Sequence, residues 1–136
     1  NNVIFSNNGT LAGHVQMDDY AILGGLTAVH QFCRIGKHAI TGGCSKIVQD
    51  VPPFMIADGN PAEIRSVNTI GLQRRGFDQD QIKSLKEAYK IIFLRNLTTS
   101  DAVSALKKME SEPSESSPIQ DLIDFIVSSE RGIIRR

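Results

Sequence analysis

A six-residue repeat in the first fifty residues constrains the fold of this chain more than any other feature. Read in hexads from Phe5, the sequence has a large apolar residue at the first position of seven of eight units. These first positions are Phe5, Leu11, Met17, Leu23, Val29, Ile35, Thr41 and Ile47. A period of six fits neither the 3.6-residue turn of an α-helix nor the alternation of a long strand. The repeat therefore predicts short strands joined by tight bends, each sending one side chain into a stacked core.

This pattern resembles the hexapeptide repeat of left-handed parallel β-helices. In that family three hexads form one triangular coil, so residues 18 apart lie one above another, at about the 4.8 Å spacing of neighbouring strands. Eight hexads make fewer than three coils. Because a bare coil would leave backbone groups unpaired at its edge, we expect the natural protein to extend upstream of Asn1.

The repeat is predicted to stop at Pro52 and Pro53, since two prolines remove two backbone donors from the ladder. The sequence then divides into β-helix coils over 1–53, an irregular connector over 54–76 and a helical domain over 77–136. We therefore predict a left-handed parallel β-helix followed by a small α-helical carboxy-terminal domain.

The helical domain is predicted to hold three helices. Asp78 and Gln81 have the spacing of a capping box at the start of the first. The second runs from about residue 99 to 109, with apolar residues at helical spacing. Ser117 and Pro118 read as the N-cap and first residue of the third helix, and Gly132 is expected to end it.

Composition excludes several classes of protein. Fifteen Lys and Arg residues balance fifteen Asp and Glu residues, so net charge gives no reason to expect a nucleic-acid partner. No apolar run approaches the roughly 18–20 residues that span a bilayer, and no signal peptide is visible. Cys33 and Cys44 are too few for a disulfide framework, and we predict free, buried thiols in a reducing cytoplasm.

Three histidines are candidates for chemistry. Leu11 and Val29 are 18 residues apart, so His14 and His30 are predicted to share one wall of the coil. A metal site is disfavoured because no third ligand aligns with them. Inert surface histidines remain the alternative. His38 falls on the next face and is predicted to be structural or exposed.

Glycines and basic residues complete the candidate site. Gly13 precedes His14, where its N–H could stabilise an oxyanion, although a simple turn is the favoured explanation when Gly13 is considered alone. Gly42 and Gly43 would leave room for a ligand or a neighbouring subunit. The pair Arg74 and Arg75 suits phosphate binding, or else a solvated approach to the first helix. Asn68 could hydrogen-bond a base or sugar.

Longer motifs carry a specific resemblance. The segments SNNGTLAGHV, GGLTAVHQFCRIG, GGCSKIVQDVPPFMIADGNPAE and VNTIGLQRRGF resemble the UDP-N-acetylglucosamine O-acyltransferases in order and spacing, over nearly all 136 residues. The resemblance implies a cytoplasmic homotrimer with active sites between adjacent β-helices. It implies transfer of a 3-hydroxyacyl group from acyl carrier protein to the sugar 3-hydroxyl of UDP-N-acetylglucosamine, the first step of lipid A synthesis, with no metal or other cofactor.

The resemblance also implies roles for single residues. The Gly13 N–H would form the oxyanion hole, and a second group would bind the sugar nucleotide and acyl chain. This second group consists of His14, His30, Gln31, Asn68, Arg74 and Arg75. The two arginines could also contact the acidic carrier protein.

Three positions give further expectations from the same resemblance. The family's general-base histidine lies about one coil above His14, upstream of Asn1, so we expect these 136 residues alone to be inactive. Ile70 stands where some members have an acidic residue that assists nucleotide binding, which puts sugar-nucleotide affinity in question. Gly43 falls at the acyl-chain ruler, where a small residue favours a donor of about fourteen carbons or more.

Two alternative functions are weighed against this one. The related N-acyltransferase of the same pathway shares the hexads, but the GLQRRGF connector and the three-helix tail argue against it. A non-catalytic hexapeptide scaffold that only trimerises or binds acyl carrier protein is the alternative from a different class. A histidine about nineteen residues before His14 in the gene would favour the enzyme.

Overall fold

The computed structural model describes residues 4–5, 10–11, 15–25, 27–29, 32–95, 97–109, 117–129 and 132–134. Eight two-residue strands follow the hexads. They are β1 Ile4–Phe5, β2 Thr10–Leu11, β3 Gln16–Met17, β4 Ile22–Leu23, β5 Ala28–Val29, β6 Arg34–Ile35, β7 Ile40–Thr41 and β8 Lys46–Ile47. Each strand ends on the first position of a hexad, and Leu23, Ile35 and Ile47 are completely buried there. The inward direction predicted for these side chains is confirmed.

The strands form three parallel walls with an 18-residue register. Ile4 pairs with Ile22, and Ile22 pairs with Ile40, in the wall β1–β4–β7. The walls β2–β5–β8 and β3–β6 repeat the same offset. Residues 18 apart therefore lie one above another, as the repeat predicts.

Two kinds of corner join these walls. Tyr20, His38 and Phe54 stack at one of them, which we call the aromatic corner. All three have left-handed backbone angles, with φ of 61°, 57° and 70°. Four glycines occupy a second one, the glycine corner, which consists of Gly24, Gly25, Gly42 and Gly43.

The stacking continues past the two prolines. Met55–Gly59 forms β9 and Ala62–Val67 forms β10, an antiparallel hairpin whose first strand pairs in parallel with β7. The predicted irregular connector was therefore wrong over this stretch. Pro52 and Pro53 lie in a corner, where the ladder needs no donor. Ile56 pairs with Ile40 rather than with a residue 18 away, so the last coil is two residues shorter. Whether the chain divides into domains at 53 and 76 stays a prediction.

Four helices follow the hairpin: α1 Thr69–Arg74, α2 Gln79–Tyr89, α3 Thr99–Met109 and α4 Pro118–Ser128, with a π-helical turn at Lys90–Leu94 after α2. The predicted capping box is confirmed: the Asp78 carboxylate accepts from the Gln81 N–H at 2.8 Å, and the Gln81 side chain accepts from the Asp78 N–H at 2.9 Å. Ser117 caps α4, as predicted, by accepting from the Gln120 N–H at 3.0 Å.

The end of α4 differs from the prediction. The helix stops at Ser128, and Gly132 lies beyond it with a φ of +82°. Glycine adopts this left-handed conformation readily, and the tail lies against the coil at Asp50 from this residue onward. The Asp50 N–H donates to the Gly132 carbonyl at 3.0 Å, and the Ile134 N–H donates to the Asp50 carbonyl at 2.9 Å.

The Asp50 carboxylate completes this attachment. It is 1% exposed, accepts from the Arg34 N–H at 2.8 Å and also accepts from the Ser129 hydroxyl. The buried charge is therefore hydrogen-bonded through both oxygens, which offsets its desolvation. One continuous apolar core runs through the coils, the hairpin and the helices.

The cysteines are both free, but only one is buried. Cys33 lies in the core, whereas Cys44 is exposed, so its predicted burial was wrong. Cys44 is the fourth residue of its hexad and has a φ of 59°, at an outer corner of the coil. None of the helices in the described part of the chain is long and apolar enough to cross a membrane.

Candidate functional site

An open groove of about 530 Å³ lies between the wall β4–β7–β9 and helix α1. Its floor is the outer face of the wall, where Ile22, Ile40 and Ile56 lie one above another. Its rim includes Asn68, Ile70 and Arg74, from the start and the end of α1. The groove thus combines an apolar floor with an amide and a guanidinium at its edge.

The isoleucine floor follows from strand geometry. Successive residues of a strand point to opposite faces, so the second residue fills the core and the first faces outward. In the wall β2–β5–β8 the outward positions include Ala28 and Lys46, both exposed. Among the strands whose side chains are described, the stacked isoleucines belong to one wall, and that wall is the one α1 overhangs.

Asn68 is held rigidly at the start of α1. Its side-chain Nδ2 donates to the His38 carbonyl at 2.9 Å, and its Oδ1 accepts from the Gly71 N–H at 3.3 Å. A Cβ at Gly71 would lie 2.4 Å from Asn68 Nδ2, so only glycine fits beneath this cap. Asn68 is 9% exposed and lines the groove, and each end of its amide keeps capacity for one further hydrogen bond. Its role with a nucleotide stays a prediction.

The side chains of Arg74 and Arg75 lie in different surroundings. Arg74 lines the groove and makes no ion pair within the described residues. The Arg75 guanidinium instead lies 4.4 Å from the Tyr20 ring centroid, a cation–π contact on the aromatic corner. The structure therefore brings Asn68, Ile70 and Arg74 together and puts Arg75 outside the lining of the groove. Phosphate binding by either arginine stays a prediction.

His38 is a structural residue, which confirms one of the two predicted alternatives. Its ring stacks on Tyr20, with centroids 4.9 Å apart, and on Phe54 at 5.8 Å, and it meets the edge-on Phe77 ring at 5.1 Å. Burial lowers the pKa of His38 below 6.5, and the charges of Lys37 and Arg75 lower it further. The sequence did contain a signal, because Tyr20 and His38 hold the same hexad position 18 residues apart.

The two glycines of the later coil differ. A Cβ at Gly42 would lie 2.5 Å from the Asp58 carboxylate, whereas a Cβ at Gly43 would meet only the Gly25 carbonyl, at 3.3 Å. Gly42 lines the groove; Gly43 is exposed at the corner beside it. The room predicted at this pair therefore exists at Gly43 alone, and its part in acyl-chain length stays a prediction.

The remaining candidates, Gly13, His14, His30 and Gln31, lie outside the described residues. The nearest described backbone supports the register used for them, since Leu11 pairs with Val29. Within the part of the chain that the structure describes, no group of three or more His, Cys, Asp or Glu side chains could hold a metal ion.

Stacked hexad coils, a helical tail and an apolar groove with a polar rim define the class: a hexad-repeat protein with a ligand-sized groove. A family model described as UDP N-acetylglucosamine O-acyltransferase, domain 2, matches residues 50–134. The chain belongs to the UDP-N-acetylglucosamine O-acyltransferase family.

Relatives agree over almost the whole chain. The acyl-[acyl-carrier-protein]–UDP-N-acetylglucosamine O-acyltransferase of Burkholderia orbicola (strain MC0-3) is 47% identical over 136 residues, 99% of this chain and 52% of its own length. That of Herminiimonas arsenicoxydans is 49% identical over 135 residues, 98% of this chain and 52% of its own length. The crystal structure of the Moraxella catarrhalis RH4 enzyme has a TM-score of 0.92 at 40% identity, covering 98% of this chain and 51% of that one. The chain spans about half the length of these relatives.

Proposed function

We propose that this chain is part of an acyltransferase that moves a 3-hydroxyacyl group from acyl carrier protein to the 3-hydroxyl of UDP-N-acetylglucosamine, the first step of lipid A synthesis. The groove beside α1 is the observation that carries this proposal within the structure. The names of the relatives supply the donor and acceptor, a carrier-bound acyl group and a nucleotide sugar.

The groove suits both halves of such a ligand pair. The guanidinium of Arg74 lacks an ion pair among the described residues, so it is available to a phosphate, for which its planar fork is well shaped. The stacked Ile22, Ile40 and Ile56 offer an apolar strip to a hydrocarbon chain. Ile70 is 66% exposed on the rim and presents an apolar contact at the position where the resemblance implies an acidic residue in some members.

The chemistry needs a base and an oxyanion site rather than a redox group. The sugar hydroxyl oxygen attacks the thioester carbonyl carbon, the new C–O bond forms, the C–S bond breaks, and the carrier thiol leaves with a proton. A histidine accepts the hydroxyl proton, and a backbone N–H stabilises the tetrahedral oxyanion. We assign the N–H to Gly13 and ligand contacts to His14, His30 and Gln31, by resemblance.

The same proposal includes architecture and setting. We infer that the coils wind with a left hand, that the chain divides into coils over 1–53, a connecting segment over 54–76 and a helical domain over 77–136, and that three copies associate in the cytoplasm. The half-buried apolar strip on one wall supports association, because apolar patches on a surface mark binding or assembly sites.

The direct test is acyl transfer to UDP-N-acetylglucosamine from a panel of hydroxyacyl carrier proteins, using the protein that carries this sequence at full natural length. We expect ester formation, and we expect His14→Ala, which removes a proposed ligand contact, to lower kcat/KM by about tenfold or more. A protein that trimerises and binds acyl carrier protein but produces no ester with any donor would be a scaffold, and the enzymatic proposal would be abandoned.

Donor length gives a sharper test of one residue. Gly43 has an ordinary backbone conformation and only one close neighbour, so Gly43→Met should fold and shorten the preferred donor by several carbons. Gly43→Ala is the matched control and should change the preference less. An unchanged donor preference in Gly43→Met would remove Gly43 from the ruler.

A further inference from the structure

The aromatic corner is joined directly to the rim of the groove. Asn68 donates through its side chain to the His38 carbonyl at 2.9 Å and through its backbone N–H to the Phe54 carbonyl at 2.8 Å. Both acceptors belong to residues of the stacked column. The same asparagine caps α1, which carries Ile70 and Arg74 to the rim. A shift of the corner would therefore move the rim with it.

The column itself keeps the corner in a strained shape. His38 and its two stacking partners are bulky residues with positive φ, which costs free energy and persists only when surrounding contacts enforce it. For His38 those contacts are the Tyr20 and Phe54 rings on its faces, the Phe77 ring at its edge, and a backbone hydrogen bond from its N–H to the Asp19 carbonyl at 3.1 Å. Loss of the His38 ring would leave this corner with the backbone hydrogen bond but without the stacking that fixes its position.

We propose that His38 is a positioning residue for the groove: its stacked ring fixes the corner carbonyl that Asn68 binds, and so sets how tightly the rim holds the nucleotide sugar. The inference rests on the proposed function and adds to it a residue outside the lining of the groove. It predicts an effect on the KM for UDP-N-acetylglucosamine rather than on kcat, because the column touches neither floor nor reacting atoms.

Protonation of His38 offers a second way to test its role. Burial disfavours a charged imidazole and lowers the pKa of His38; Lys37 and Arg75 lower it further, and Asp121 and Asp19 oppose them. Lys37 is itself paired with Asp121 at 2.6 Å, and the Tyr20 phenol is the remaining titratable group against the ring. A cationic ring would stand among these cations, so acid should loosen the column and raise KM.

Two variants test the proposal in the full-length protein. His38→Asn removes the ring but tolerates positive φ, and His38→Phe keeps a ring that cannot be charged. We expect His38→Asn to raise the KM for UDP-N-acetylglucosamine about fivefold or more with kcat within about twofold, and His38→Phe to restore it. From pH 7.5 to 5.5 the KM of the parent should rise more than that of His38→Phe. Thermal melts of each variant report folding separately.

The outcomes separate cleanly. An unchanged KM in a folded His38→Asn, or a fall in kcat alone, would overturn the positioning role while leaving the proposed function intact. If His38→Asn does not fold, equal pH dependence of KM in the parent and His38→Phe would overturn it. A parent protein that neither binds nor acylates UDP-N-acetylglucosamine would remove the proposed function, and the inference with it.

Discussion

The aromatic corner and the glycine corner are stabilised in opposite ways. At the aromatic corner, rings stack over three successive levels of the coil, and each ring belongs to a residue with a left-handed backbone angle. At the glycine corner, backbone packs on backbone: a Cβ at Gly24 would lie 2.4 Å from the Thr41 carbonyl oxygen. The comparison shows that a repeat with one period can form its corners in two ways: by stacking large side chains, or by packing backbone directly on backbone where glycine has no side chain.

Buried hydroxyls complete the glycine corner. Thr27 and Thr41 are 0% and 1% exposed, and the Thr27 hydroxyl donates to the Gly42 carbonyl at 3.0 Å. The Thr41 hydroxyl accepts from the Gly24 N–H at 3.0 Å. At the glycine corner, hydrogen-bonded polar atoms therefore take the place of the stacked rings of the aromatic corner. Each buried polar atom needs its hydrogen-bond partner.

The largest effect should come from the aromatic corner. Phe54→Ala removes a fully buried ring, and we expect the free energy of unfolding to fall by about 4 kcal/mol, measured by chemical denaturation. Phe32→Ala is the matched control, because Phe32 has a φ of 69° but is 60% exposed, and it should cost about 0.5 kcal/mol. Equal losses would mean that backbone conformation, and not ring burial, stabilises this corner.

At the glycine corner the corresponding change adds volume. Gly24→Ala forces a methyl group against backbone and should cost about 3 kcal/mol. Gly43→Ala, whose nearest neighbour would be 3.3 Å away, should cost well under about 1 kcal/mol. If both variants have the same melting temperature as the parent protein, the glycine corner is less tightly packed than the backbone distances imply.

A smaller effect should follow from the buried hydroxyls. Thr41→Val keeps shape but removes one of two acceptors of the Gly24 N–H, which also donates to the Thr41 carbonyl at 3.1 Å, so we expect a loss of about 1 kcal/mol. Because the Thr41 hydroxyl also donates to the Thr27 hydroxyl at 3.4 Å, the double variant Thr27→Val/Thr41→Val should lose less than the two single losses combined. Strict additivity would show that the two hydroxyls do not act together.

The smallest effect concerns pH. The pKa of His38 is lowered in the folded protein by burial, then by Lys37 and Arg75, so the unfolded chain takes up this proton first as pH falls. The His38 contribution should be complete above pH 6.5 and be lost as pH falls through the lower folded pKa. His38→Phe should flatten that part of the stability profile, measured by thermal melts from pH 7.5 to 5. An identical slope in both proteins would assign the acid sensitivity to other groups.

The sequence predicted the parts of this fold that depend on local spacing. The hexads located the strands, and the capping residues Asp78 and Ser117 located the starts of α2 and α4. The prediction from sequence failed where tertiary contacts overrode a local signal. Pro52 and Pro53 mark the end of a ladder when read alone, yet they fit a corner and the wall resumes at Met55.

For the candidate site, sequence and structure agree on the neighbourhood and differ on details. Asn68 and Arg74 do meet in one groove, whereas Arg75 turns to the Tyr20 ring. No spacing rule predicts that turn, because a guanidinium can reach either a phosphate or an aromatic face. The structure does not describe four further candidates, so their roles remain predictions. They are Gly13, His14, His30 and Gln31.

Because the tail returns to Asp50, the helical segment is attached to the coil at both of its ends. The chain leaves the wall after Val67 and comes back at Ile133, which bridges to Asp50. Midway, the Tyr89 hydroxyl donates to the Arg65 carbonyl at 2.8 Å. Separating the helices from the coil would require several of these contacts to break together. The helices and the coil should therefore unfold in a single step rather than one after the other.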